Sequence, residues 1–578
     1  MKGRKVFKKL VEPSEAINIL LMATKGRFLD YMLSDSQEVK IEDAVGRLLA
    51  ENVYSPIDLP YYPRSLVDGC AVKSSDTKHA NENNPIELKY KGLVHVGEQP
   101  EEEVTEGSCI EVDTGAWIPI GADSVVPIEY VELKGEAAVL SRSSGIGMNI
   151  ALPSTDIGKG DLIASKGTLI TPEIVSSIAS VGLDTVKVSR PLRVSIGSTG
   201  DELIEPGKPL VEGKIYNSNR SYLISRARQL GMDVVDYGIV PDDLDELEAK
   251  LSDAMDRSDI IIFTGGTSAG PEDVLYRAVE RIGRILVHGL KIKPGKPTII
   301  GLLGNKPFFG LPGNPRSALN VFEKVVETYF YKMGLMTRKD FNVNPYELPV
   351  NIFGTRGRRT YVPVLVDSIY AWPIARDSYM IASYAWADGY IEISSDAYAP
   401  LTKGEKVNVK LFRHPVKTVY SFTDIGNSRR YSKMIEKTIN SRIYKIIPVP
   451  RDQIDDTVIR NMKHFITTDL LMGSKNSGNN ILCKQIYSRE LVRLEKNNKC
   501  RYTGIRAGYG FLAKQSDGAI LYHPRFQGII ILFRKGYIDC AIVPSDLLEE
   551  NNDLRKHVVD TVAKEEVLLV SKIKNDTA

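Results

Sequence analysis

The stretch from Asp259 to Asp273 constrains the fold more than any other part of the chain. Ile260 to Phe263 is an unbroken apolar run, which predicts a strand buried on both faces. Gly265, Gly266 and Thr267 end that run. Ser268, Gly270 and Pro271 then lead into Glu272 and Asp273, acids suited to the first turn of a helix reaching Ile282. The order is strand, glycine-rich loop, helix. Glycines let the backbone approach a ligand closely, and free amides at a helix start favour a phosphate. The same residues also suit a plain strand-to-helix turn, so other stretches must decide.

Three of them do. From Lys293 to Pro297, two prolines fix the backbone around Gly295 and hold Lys293 and Lys296 near one another, which suits an anion between them. Gly310 to Pro315 is a second glycine–proline turn, with Pro312 and Pro315, set between a strand and a helix. Ser198 to Leu203 follows the apolar run Leu192 to Ile196 and brings Asp201 and Glu202 to another strand end. In an open parallel sheet, ligands bind beyond the carboxyl ends of the strands. Strand ends carrying carboxylates, lysines and glycines point to a pocket for a phosphorylated ligand with a metal ion.

A chain of 578 residues is too long for one core. Alternation of strand and helix from Arg193 to about Met333 predicts a doubly wound α/β domain, with five strands starting at Arg193, Asp233, Asp259, Thr298 and Pro307. Asp242 follows the second strand and reads equally as a helix N-cap or as a carboxylate on the ligand edge. Pro13 to about Ala50 reads as helical, with Ala16, Ile19, Leu20 and Met22 on the apolar face. Asp68 and Gly69 read as a tight turn after a tyrosine- and proline-rich segment. Short strands between Ile86 and Leu140 form a β insert containing Thr114, Gly115 and Ala116. Short strands return between Asn342 and Phe412, as a small β-barrel or sandwich. After His414 and Pro415 the pattern alternates again, as a C-terminal α/β domain. The expected division is 1–53 with 152–188 helical, 54–151 β insert, 189–335 α/β, 336–414 β-barrel and 415–578 C-terminal.

Composition limits the functional classes. Net charge is +2, so no general affinity for nucleic acid or membrane follows, and no helix-turn-helix with a basic reading helix is evident. No apolar run has the length of a membrane span. The basic start and the apolar residues Ala16 to Ala23 imitate a signal peptide, but Glu12 and Glu15 interrupt it. The five cysteines (Cys70, Cys109, Cys483, Cys500 and Cys540) are scattered and contain no Cys-x-x-Cys. They support neither a zinc site nor a disulfide framework, and a reducing cytoplasm is expected.

Six stretches, in order, resemble the molybdopterin molybdenumtransferase family, the bacterial MoeA and gephyrin E-domain group. They are Ser65 to Val72, Thr114 to Ala116 with Gly121 to Asp123, Ser198 to Leu203, Gly265 to Asp273, Lys293 to Pro297, and Gly310 to Pro315. The resemblance covers about the first 414 residues. It implies insertion of molybdate or tungstate into adenylylated molybdopterin with release of AMP. It also implies a magnesium-type divalent cation and a homodimer whose active site joins the α/β domain of one subunit to the first two domains of the other.

Residue by residue, the resemblance implies that Glu202, Asp242 and Asp273 hold or orient the cation. Gly265, Gly266, Thr267, Ser268 and Gly270 would cradle phosphate or pterin. Lys293 and Lys296 would bind phosphate or the oxyanion, and Pro312 and Pro315 would shape the pterin wall. Asp68 and Thr114 would reach in from the partner, supported by Asp156, and Ser378 would add a polar group from the last family domain. The chain departs from the family pattern at Val67, Cys70, Ala151 and Gly289. The C-terminal residues resemble a periplasmic-binding-protein-like domain, which implies a small ligand; Asp424, Gly426, Asn427 and Ser428 stand where an anion would sit. Two alternatives remain beside the transferase. One is a scaffold or an oxyanion or pterin sensor without turnover. The other is a molybdopterin adenylyltransferase, which shares the Gly-Gly-Thr loop.

Overall fold

The computed structural model describes residues 10–24, 27–267, 273–337, 341–374, 378–397 and 399–413, and beyond these Asp553, Arg555 and the backbone of the C-terminal strands. Ser268, Gly270, Asp424, Gly426, Asn427 and Ser428 lie outside the described residues, as do the helices expected at 428–439 and 545–551.

The α/β domain contains β1 (Arg193–Thr199), α1 (Ser218–Gln229), β2 (Asp233–Val240), α2 (Leu244–Arg257), β3 (Ile260–Thr264), α3 (Val274–Ile282), β4 (Gly283–His288), β5 (Ile299–Leu303), β6 (Lys306–Leu311) and α4 (Pro315–Val321). The six strands form one sheet in the order β2-β1-β3-β6-β5-β4. Ile260 to Phe263 are all fully buried, as a continuous apolar run requires. Apolar layers cover both faces of the sheet: Ile196, Ile262 and Phe309 lie in one, and Ile261, Phe263 and Phe308 in the other. That is the doubly wound arrangement expected.

Two features correct the expectation of an open parallel sheet. β5 runs antiparallel to both of its neighbours, β6 and β4. β4 itself was not anticipated, because Ile285 to His288 is a short apolar run that period alone does not separate from a loop. The parallel part is β2-β1-β3-β6.

The N-terminal region also differs. Helices span Pro13–Thr24 and Arg27–Ser34, but Ser36–Lys40 is a strand paired antiparallel with Thr185–Ser189. Ile41–Ala44 forms only a short 3-10 turn, after which Gly46 has φ +80° and Leu48 and Leu49 bridge to Leu169 and Val188, so the helical expectation does not reach Ala50. Ala16, Ile17 and Leu20 pack into the α/β core beside Ile262 and Phe309, whereas Met22 is 86% exposed rather than on the apolar face. A buried ion pair fastens this junction. Arg190 Nη1 and Nη2 each donate at 2.7 Å to the Asp259 carboxylate, and Arg190 Nε donates to Asp35 at 2.6 Å.

The insert is a six-stranded sheet that includes Gly69–Val72, Ser108–Val112 and Ser124–Pro127. Where a small β-barrel or sandwich was expected, a further six-stranded sheet is built on Arg359–Val366, Gly389–Ile393, Lys406–Leu411 and Asn342–Glu347, and it stays open because its two edge strands do not pair with each other. One edge strand is Ile292–Lys293, which pairs parallel with Arg359 and Thr360. The lysine-bearing loop of the α/β domain is therefore anchored on the neighbouring sheet.

Beyond residue 413 the described strands form one eight-stranded sheet. Lys417–Ser421, Tyr444–Pro448 and His464–Thr468 pair in parallel. The 15-residue strands Ile481–Glu495 and Val558–Lys572 lie antiparallel beside each other.

Candidate active site

Three strand ends converge through their glycines. Gly265 has φ +100°, and a Cβ placed on it would stand 2.0 Å from the Thr199 carbonyl oxygen. No side chain fits there, so glycine lets the loop after β3 lie against the end of β1. Gly265 N–H donates to Leu311 O at 3.1 Å, tying the same loop to β6. Gly313 comes close as well, its Cβ position lying 3.8 Å from the Gly265 Cα.

Asn219 completes this junction and was missed from sequence. Its Nδ2 donates to Gly313 O at 2.8 Å and to Thr264 Oγ1 at 3.2 Å. Asn217, the N-cap of α1, accepts from Ser198 Oγ at 3.0 Å. These two asparagines bind the ends of β1, β3 and β6 together. Their spacing in Asn217-Ser218-Asn219 opens a helix and looks like ordinary capping, so only the fold exposes the second role.

The carboxylates lie along this edge. Asp243, not Asp242, caps α2, its side chain accepting from the amides of Asp245 and Glu246 at 3.0 and 2.9 Å. The N-cap reading of Asp242 is thereby overturned, and its carboxylate instead accepts from the Thr199 hydroxyl. Asp242 N–H faces Asp201 Oδ1 at 3.3 Å, and Glu202 folds back over Gly200. Asp273 stands at the start of α3 without capping it. Among the described residues no three acids, histidines or cysteines come together in metal-binding geometry, so Glu202, Asp242 and Asp273 are not gathered into a ready-made cation site. A magnesium ion needs only one or two carboxylates when substrate phosphates supply other ligands, and this edge offers that donor set.

The cations are held differently from one another. Lys293 is exposed on the edge strand of the neighbouring sheet, and Lys296 is half-buried. Gly295 has φ +125°, and a Cβ on it would lie 2.5 Å from the Val321 side chain. Thr298 Oγ1 donates to Gly295 O at 2.7 Å, and Asn320 Nδ2 to Pro294 O at 2.8 Å. The turn is thus locked onto α4. Pro312 is buried, and Pro315 opens α4. The Ser378 carbonyl accepts from Arg316 N–H at 3.1 Å, which brings Ser378 to the start of α4.

His288 stands behind the loop. Its Nε2 lies 3.4 Å from the Thr267 carbonyl, and its ring tilts against Tyr276 at 4.6 Å. Burial lowers its pKa, which favours the neutral imidazole.

On the insert, Asp68 is not part of a tight turn. It accepts from Thr114 N–H at 2.6 Å and from Thr114 Oγ1 at 2.8 Å. Those two bonds lower its pKa and keep it a carboxylate. Gly69 begins a strand, where a Cβ would stand 2.1 Å from Val126 O. Asp156 N–H donates to Leu59 O at 3.0 Å, and no described bond joins Asp156 to Asp68 or Thr114. Nor does any described hydrogen bond within the chain join the Asp68–Thr114 unit to the edge of the α/β sheet.

A glycine loop on an α/β sheet, a lysine turn shared with the neighbouring sheet, and a β insert bearing an Asp–Thr pair are the parts that define the class of protein. Family models agree along the chain. The MoeA N-terminal region (domain I and II) matches residues 11–182, a probable molybdopterin binding domain 195–332, and the MoeA C-terminal region (domain IV) 346–412. The chain belongs to the MoeA family. It is 35% identical over 301 residues to the molybdopterin molybdenumtransferase of Haemophilus influenzae, covering 52% of this chain and 73% of that one. A putative molybdopterin biosynthesis protein of Methanocaldococcus jannaschii is 33% identical over 386 residues, 65% of this chain and 92% of its own length. The solved structure of a molybdopterin biosynthesis MoeA protein from Pyrococcus horikoshii aligns with a TM-score of 0.58 at 30% identity, covering 70% of this chain and 100% of that one.

Proposed function

We infer that this chain is a molybdopterin molybdenumtransferase, inserting molybdate or tungstate into adenylylated molybdopterin and releasing AMP in molybdenum cofactor biosynthesis. The observation that carries this reading is the joint presence of the Gly265 loop, seated on Thr199 and Leu311, and the Asp68–Thr114 pair on the insert. An adenylyltransferase would account for the loop but gives the insert no role. A scaffold without turnover gives no reason to hold an exposed Asp68 in place through both the amide and the hydroxyl of Thr114.

The substrate is a phosphoric anhydride joining the pterin's phosphate to AMP. Cleaving it requires phosphate oxygens with their charge neutralised. Gly265, Gly266 and Thr267 bring backbone close to the phosphate, with Ser268 and Gly270 continuing the same segment. Lys293 and Lys296 supply positive charge to phosphate or to the incoming oxyanion. Pro312 and Pro315, with Ser378 beside them, wall the pterin side. Glu202, Asp242 and Asp273 would hold a magnesium ion, which when bound withdraws charge from the anhydride oxygens. Molybdate is a dianion and prefers cationic or amide donors. Asp68 therefore positions water, the cation or the dithiolene end rather than the oxyanion.

Asp68 and Thr114 act across a homodimer in this reading, and Asp156 supports the same loop cluster. Mixing two inactive variants tests both the reaction and the dimer. Asp68→Asn and Asp273→Asn should each release little AMP alone. Subunit exchange between them should restore about a quarter of native turnover, since half the dimers would be mixed and carry one intact site. A mixture as inactive as its parts would remove Asp68 from a shared site.

The C-terminal residues form a small-ligand domain of the periplasmic-binding-protein type, with an oxyanion or a pterin as its ligand. The paired 15-residue strands, long enough to span two lobes, support that reading. A cytoplasmic location rests on the scattered cysteines. Among the described residues, no helix is long and apolar enough to cross a membrane.

A further inference from the structure

A second surface on the insert has no part in the chemistry described so far. The rings of Tyr62 and Trp117 are stacked, with centroids 4.4 Å apart and planes 12° from parallel. The backbone beneath them is a short antiparallel ladder. Ile118 N–H donates to Pro63 O at 2.9 Å, Ser65 N–H to Ala116 O at 2.9 Å, and Gly115 N–H to Ser65 O at 2.8 Å. In this ladder Arg64 stands opposite Trp117, and on its other side opposite Ala151.

Side chains alternate across a strand, so residues directly opposite one another share a face. Ser65 is 1% exposed and points inward, which turns Arg64 outward with Tyr62 and Trp117. Arg64 is exposed, and among the described residues no carboxylate pairs with it. The same ladder ends at Thr114, which holds Asp68. Two stacked rings and an open guanidinium therefore share one face, a few residues along the same strand pair from the Thr114 that holds Asp68. Both rings are only partly buried.

This is a pre-organised stacking platform beside a cation. Rings already stacked lose little freedom when another joins them, and a guanidinium matches a phosphate in two parallel hydrogen bonds. The substrate carries two flat heterocycles, pterin and adenine. The α/β domain matches a molybdopterin binding model over residues 195–332, which assigns the pterin end to that domain. Adenine, bearing one phosphate of its own, is the half left for a ring stack next to an arginine.

We propose that Tyr62, Trp117 and Arg64 form the nucleotide subsite, stacking the adenine of the AMP moiety and pairing Arg64 with its phosphate. The proposal rests on the transferase reading and specifies how half of that substrate is bound.

The test uses the full chain, with AMP and nucleotide-free molybdopterin as separate probes, followed by calorimetry and tryptophan fluorescence. Arg64→Ala and Trp117→Ala should each weaken AMP binding about tenfold, the scale of one lost base stack or phosphate contact. Trp117→Phe should retain most of the affinity. Molybdopterin binding should not change, and KM for the adenylylated pterin should rise more than kcat falls. Unchanged AMP affinity in both alanine variants would overturn the proposal. So would a loss of molybdopterin affinity with AMP binding intact, because the platform would then hold the pterin. Native turnover combined with variants that bind AMP normally defeats the subsite and leaves the transferase standing. Absence of native turnover, with AMP binding still dependent on Arg64 and Trp117, defeats the transferase and leaves the subsite.

Discussion

Replacing Gly265 with alanine should abolish most turnover while the rest of the molecule stays folded. The new Cβ would stand 2.0 Å from Thr199 O, a backbone atom that cannot rotate away, and φ at +100° is closed to other residues. The loop or the end of β1 must move. Backbone strain of this kind costs about 1–3 kcal/mol, and relieving it displaces groups on both strands. Thr199 also donates its hydroxyl to Asp242, so the shift reaches the acidic edge as well as the phosphate loop. A displacement of about 1 Å at a reacting centre costs on the order of 10²-fold in rate. Gly313→Ala is the control. Its nearest neighbour would be 3.8 Å away, so little change is expected despite its place in the same cluster. Equal losses in both variants, measured as kcat/KM for AMP release, would show that the close approach at Gly265 is not what shapes the site.

The largest effect on stability should come from Arg190→Met. Asp259 is 1% exposed and accepts two bonds from the guanidinium, with a third from Arg193 N–H at 2.8 Å. Removing the cation leaves a buried carboxylate without its charge partner, at a cost of about 3–5 kcal/mol. The pair joins Asp35, the chain entering β1 and the start of β3, so the loss should loosen the N-terminal helices from the sheet. Adding Asp259→Leu to the same protein should recover much of the loss, because apolar groups of similar volume can replace a buried ion pair. Denaturant midpoints of the single and double variants measure this. A single variant within about 1 kcal/mol of native would mean that water reaches the carboxylate.

How much of this was legible in the sequence follows from how far each interaction reaches. Ile260 to Phe263 and the glycines after them declare a buried strand and a close backbone approach within ten residues, and both are present. Alternation recovered the parallel strands because each strand and helix carries its own period. The lysine turn was found by its prolines, but its place on the edge of the neighbouring sheet was not, since Ile292–Lys293 pairs with residues nearly seventy positions later. Asp68 read as a turn residue because its partner, Thr114, is 46 residues away. Asp242 and Asp243 were indistinguishable by composition; hydrogen-bond geometry at the start of α2 separates the cap from the free edge. Met22 fitted a helical stripe, yet the helix presents its other side to the α/β core. Asn219 gave no signal beyond helix initiation, although it holds two of the site's loops.

The most direct measurement is AMP release from adenylylated molybdopterin by the purified full chain with magnesium, comparing molybdate, tungstate and no oxyanion. The account predicts release that depends on an oxyanion and is lost in Asp273→Asn. Release at the same rate without any oxyanion, or none from a folded protein that binds the adenylylated pterin, would contradict it.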